Sequence, residues 1–155
     1  MEIQKVGKTN VRIKAKSVSF VTDTFASGES IPLFFKPKTD ESYDGFFIEG
    51  AGEYEVTGVR IKGIQEGDGL LYEITEEPIT LKLINTKGLK AMKDIDEGTI
   101  LLVENNGELT KDTLVGLDAY LTIVYGEPIP DSTFQQIEKI NLRKLEELKG
   151  VVVLK

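Results

Sequence analysis

The chemistry open to this chain rests on its carboxylates, because it has no His, no Cys and no Trp. Thiol nucleophiles, disulfides and iron–sulfur ligation are excluded. So are zinc sites built on imidazole or thiolate, Ser-His-Asp triads and any histidine general base. Three carboxylate groups remain as candidates. Asp40, Glu41 and Asp44 cluster in one loop, and hard cations take oxygen ligands. A calcium loop would need an Asp-x-Asp-x-Asp-Gly spacing with a later Glu, so a solvated loop is the plainer reading. Glu53 and Glu55 lie two apart on a predicted strand and share a face, where a structural role suffices. Asp23 closes a Val-Thr strand end with no partner visible in the sequence. No residue is assigned as catalytic, cofactor-binding or metal-ligating, and no cofactor is expected.

The elements that would carry these groups change character along the chain. Val11, Ile13 and Ala15 alternate with Arg12, Lys14 and Lys16, a period of two that predicts a strand. Ser17–Thr22, Phe46–Glu49, Glu53–Val56 and a strand beginning at Val59 follow. Leu70–Ile74 and Ile79–Ile84 form a hairpin around Glu76-Glu77-Pro78, where Pro78 belongs in the connection. The pattern then turns to helix–strand alternation. Helices are predicted over Thr86–Ile95, Glu108–Leu117 and Asp131–Ile140, with Thr110 as an N-cap and Asp112 in the first turn. Buried strands are predicted at Thr99–Val103, Ala119–Val124 and Val151–Leu154. Asn141–Lys149 fits a helix, and Lys139–Leu142 fits a short strand equally well. The Gly50/Gly52 and Gly67/Gly69 pairs read as turns, because no phosphate-binding glycine motif follows a strand.

At 155 residues, without repeat or linker, a single domain over 1–155 is expected. Residues 1–64 carry nine basic and nine acidic side chains. Residues 65–155 carry ten and seventeen, so the whole net charge of −7 sits in the second part. An acidic surface repels phosphate backbones, which counts against nucleic acid as a partner. No signal peptide opens the chain, and its longest apolar runs fall far short of the ~20 residues that span a bilayer. A cytoplasmic protein without a membrane partner is expected.

The order of residues resembles a known family. The run Gly7-Lys-Thr-Asn-Val-Arg-Ile-Lys-Ala-Lys-Ser-Val-Ser-Phe-Val-Thr-Asp-Thr-Phe25 is similar to the opening of small metallo-β-lactamase-fold hydrolases. Gly50-Ala-Gly-Glu-Tyr-Glu-Val-Thr-Gly-Val-Arg-Ile-Lys-Gly-Ile64 resembles their Gly-Pro-Gly-Glu-Tyr-Glu segment and the strand after it. The resemblance covers most of the chain. It implies an α/β fold, an αββα two-sheet sandwich truncated and β-rich in its first half. It also places Asp23 near the metal site of active relatives. The ligands those relatives use, a His-x-His-x-Asp-His loop and further His residues, have no counterpart here, and the chain between Phe25 and Phe46 is too short for that loop.

The expectation drawn from these losses is a degenerate, metal-free member that is not an enzyme. It would serve as a protein-interaction or assembly module, self-associating or binding another protein, with a homodimer among the arrangements. Two features suggest surfaces for this. Arg12, Lys14 and Lys16 share one strand face and Arg60 and Lys62 another, so neighbouring strands would pool five cations into a patch. Ile31–Phe35 and Phe46-Phe47 are apolar, and loss of a covering helix would leave them for a partner to cover. The alternatives are a small hydrolase with a carboxylate-only Mg²⁺ or Mn²⁺ site, drawing on Asp23, Asp40, Asp44 and Glu53, or an acidic inhibitor or mimic.

Overall fold

The computed structural model describes residues 1–38, 42–145 and 148–155, folded as two mixed β-sheets packed face to face. The first sheet contains β1 (Glu2–Lys5), β2 (Val11–Lys14), β3 (Ser19–Thr22), β4 (Ile31–Phe34) and β5 (Ile48–Glu49) in sequential order. The second opens with an antiparallel meander: β6 (Gly52–Val56), β7 (Val59–Glu66), β8 (Gly69–Glu76) and β9 (Ile79–Asn85). It continues in parallel through β10 (Ile100–Asn105) and β11 (Leu121–Gly126). The last strands divide between the sheets. β12 (Gln135–Ile137) and β14 (Gly150–Leu154) extend the second, and β13 (Lys139–Asn141) flanks β1 in the first.

Side-chain periodicity explains the packing. In β2, Val11 and Ile13 are buried while Arg12 and Lys14 are exposed, so one face turns inward. Ile3, Ile13, Phe20 and Leu33 meet Ile61, Tyr72, Leu102 and Ile123 in one core between the sheets. The parallel strands are apolar on both faces, as strands covered on both sides must be. Their outward residues Leu101, Val103 and Val124 pack under two short helices, α1 (Thr86–Ala91) and α2 (Lys111–Val115), which contribute Leu89 and Leu114. Asn85 caps α1 by accepting from the Gly88 amide, and Thr110 caps α2 by accepting from the Thr113 amide.

The predicted sandwich is therefore only partly realised. Helices cover one sheet; on the outer face of the other, among the described residues, aromatic side chains take that place. Phe25 lies 4.7 Å from Phe34, 4.6 Å from Tyr43 and 5.2 Å from Phe47, ring centroid to ring centroid. Phe34 is consequently buried on that face, Pro32 is buried too, and Leu33 and Phe35 belong to the core between the sheets. Phe46, 54% exposed, is what remains of the expected uncovered apolar run.

Other expectations need correction. Asp131–Ile140 is not a helix: Asp131 has φ +55°, outside helical space, and the following residues pair with β14 and β1. Sheet pairing overrides the local helical spacing of Phe134, Ile137 and Ile140. The strand alternative at Lys139–Leu142 is the observed one, as β13. Glu146 and Glu147, within the alternative helix, lie outside the described residues. β1 and β4 were not expected as strands. The five-cation patch does not form, because β2 and β7 belong to different sheets. Arg60 instead stands opposite Glu55 and bridges to Glu77, and Lys62 stands between Glu53 and Glu73. No helix among the described residues is long and apolar enough to cross a membrane.

Candidate active site

The most unusual polar cluster lies where strand ends from both sheets meet. Asp23 follows β3 with φ +53°, a left-handed turn that ends the strand. Its amide donates to the Leu33 carbonyl at 2.9 Å, and its Oδ1 accepts from the Phe35 amide at 3.3 Å. These bonds fix the carboxyl at the junction of β3 and β4. From the opposite sheet comes Glu104, one residue before the end of β10. Its side chain follows the parity of Leu102, which belongs to the core between the sheets. The Asp23 carboxyl lies against that of Glu104, where its hydrogen-bonding capacity and its charge both favour a proton on Glu104. Both residues are half-buried.

Two carboxyl groups can share a hydrogen bond only through a proton. Burial above all, then the bond to Asp23 and its charge, push Glu104 up to about 8, while Lys36 opposes the shift. Glu104 is thus the protonated partner at neutral pH. In register with it on β11 is Tyr125, 1% exposed. Burial, then the charges of Glu104 and Asp23, hold the Tyr125 phenol well above its ordinary range. The Thr22 hydroxyl lies beside that phenol, but no hydrogen bond of normal geometry satisfies it. Its oxygen is the one buried side-chain polar atom without a partner among the described residues.

Tyr72 bolts the sheets together beside this rim. Its hydroxyl donates to the Phe34 carbonyl of the first sheet and accepts from the Gly50 amide at 2.9 Å. Burial pushes its phenol up too. Tyr72→Phe leaves a carbonyl and an amide without their partner, so it should cost about 2 kcal/mol. Urea unfolding of the variant measures this directly.

The carboxylates singled out in the sequence are not brought together. Asp40 and Glu41 lie outside the described residues, and Asp44 is exposed. Glu53 and Glu55 line a shallow surface groove of about 520 Å³ with Arg60, Lys62 and Glu73, a face of alternating charge. Asp23 alone reaches the rim. Glu104 and Tyr125 were missed. The available signal was a carboxylate continuing the apolar run Ile100–Val103, and a tyrosine closing the run Leu121–Val124.

The donor set does not fit a zinc ion. Such sites take three or four ligands, mostly imidazole and thiolate. This rim offers two carboxyls with a proton on one of them and a lysine alongside. No group of three Asp or Glu side chains that could hold a metal occurs among the described residues.

No family model and no curated protein matches the chain. Among solved structures, it is similar to a protein from Thermotoga maritima described as a candidate zinc-dependent hydrolase of the metallo-β-lactamase superfamily. The match has a TM-score of 0.64 at 19% identity and covers 99% of this chain and 98% of that one. The chain has the metallo-β-lactamase fold. The expectation that it is not an enzyme is overturned by this match, since the fold is shared over its whole length with a candidate hydrolase.

Proposed function

We propose that the chain is a hydrolase whose acid–base machinery is the Asp23–Glu104 pair. The observation that carries this reading is one carboxyl pair held at the strand ends between two sheets. Burial keeps a proton on Glu104, and a carboxyl pair in unlike environments divides acid and base roles between its members. Asp23 accepts a proton from the attacking water. The protonated Glu104 carboxyl donates its proton to the leaving group. The two then exchange states, and the pair is restored by one proton transfer. The Lys36 ammonium stands where it can balance negative charge near the pair. The structural likeness to a candidate hydrolase supports the reaction class, while the residues that perform it are this chain's own.

Hydrolysis of a panel of activated carboxylic esters and phosphodiesters tests the reading. Asp23→Asn and Glu104→Gln should each lower the rate on an accepted substrate by about 10²-fold or more. Glu104→Gln should also remove the high-pH limb of the rate profile, which lies near pH 8. Turnover unchanged in both variants, or no turnover of any panel member, would sink the proposal.

A further inference from the structure

We propose that Tyr125 is a positioning residue for the acid–base pair, its hydroxyl turning onto the Glu104 carboxylate when the shared proton leaves. This rests on the reading of Asp23 and Glu104 as that pair. β10 and β11 run parallel with Glu104 opposite Tyr125, and Leu102 and Ile123, two residues earlier on each strand, both sit in the core between the sheets. The two side chains therefore enter the same space. A tyrosine hydroxyl rotates freely about its C–O bond, so its direction is set by the acceptor available. While Glu104 keeps its proton and directs it to Asp23, the Tyr125 hydroxyl has no partner.

Loss of that proton changes the balance. Two carboxylates then face each other, and the pair needs a donor in place of the proton it lost. The groups facing them are Lys36 after β4, the Thr22 hydroxyl at the end of β3, and Tyr125. Thr22 accepts from the Val11 amide at 3.0 Å, and its own hydroxyl proton is directed toward the Tyr125 oxygen rather than toward the carboxyls. Tyr72 is committed to Phe34 and Gly50. Glu49 stands nearer to Tyr72 and carries the wrong charge. Tyr125 is the remaining buried donor. Its own phenol stays protonated under the burial and negative charge around it, so it acts as a donor throughout.

The test follows the Glu104 carboxyl carbon by NMR across pH, assigned through Glu104→Gln, in the natural chain and in Tyr125→Phe. Phenylalanine fills the same space, and dispersed amide spectra confirm that the variant is folded. The Tyr125→Phe titration should shift upward by about one pH unit, since a donor to the charged form is lost. In the natural chain the ring carbon bearing the Tyr125 hydroxyl should shift with the same midpoint as Glu104. A Glu104 midpoint unchanged by Tyr125→Phe, or a ring carbon blind to the titration, overturns the role given to Tyr125 alone. A natural-chain midpoint in the ordinary glutamate range overturns the pair itself, and this role with it.

Discussion

Gly69→Ala should destabilise the chain by about 4 kcal/mol or more, enough to unfold much of it, while Gly98→Ala should change little. A methyl group at Gly69 would lie 2.0 Å from the Gly88 nitrogen, 2.4 Å from its Cα and 2.6 Å from Asn85 Oδ1. None of these can yield cheaply. Asn85 Oδ1 accepts from the Gly88 amide at 2.9 Å and from the Leu70 amide at 3.3 Å, so it ties β8 to the start of α1. Pushing α1 outward would break those bonds and lift Leu89 from the second core. A methyl at Gly98, by contrast, meets nothing within 4 Å. Thermal and urea unfolding of both variants decides the matter, and similar stability in the two would contradict the close packing.

Rising pH should weaken the fold through Glu104, and Glu104→Gln should abolish that dependence. Burial, then the bond to Asp23, raises this carboxyl from 4.5 to about 8 in the folded chain. The folded state therefore keeps a proton that the unfolded state releases between those values. The stabilisation is fully present below the unfolded value and is lost as pH rises through about 8. One pH unit between the folded and unfolded midpoints corresponds to about 1.4 kcal/mol, so the whole effect is on the order of a few kcal/mol. Glutamine mimics the protonated form and can donate to Asp23 at every pH. Unfolding in urea at pH 5 and pH 9 should show the two chains close together at the lower value. At the higher one the variant should be the more stable. Parallel behaviour at both would remove the shared proton from the account.

Much of the β-framework was legible because its signals are local. The alternation in Val11–Lys14 shows which residues turn inward, and the Glu76-Glu77-Pro78 connection marks its hairpin whatever the surroundings. The motifs around Gly7–Phe25 and Gly50–Ile64 point to the fold that the structural match supports. Gly69 reads as a turn residue beside its neighbour Gly67, yet its task is to let β8 touch the start of α1. That contact depends on tertiary packing, which no local pattern carries. Asp131–Ile140 fails for the same reason: its spacing suits a helix, and pairing with distant strands decides otherwise.

The site was legible only by half. Asp23 stands out at a strand end, but its partner comes from the other sheet. Glu104 lies beyond the apolar run that defines its predicted strand, so it looks like an edge residue. The inference from absent imidazole ligands to absent catalysis weighs only one kind of chemistry. Carboxyls gathered by topology are another, and their meeting is invisible until the strand order is known.

The C-terminal stretch that supplies β12, β13 and β14 is shared between the sheets. β13 pairs with β1, the Leu142 amide donates to the Met1 carbonyl at 2.8 Å, and β14 then joins β11 in the other sheet. Neither sheet is complete without it, so neither can act as an independent unit of folding. During synthesis β1 must wait, with its outer edge unpaired, until residues 139–141 have left the ribosome. Closing so long a loop carries an entropic cost that no local contact offsets beforehand. Once closed, the same stretch couples the two sheets, and fraying at the C-terminal end is felt at the N-terminal strand.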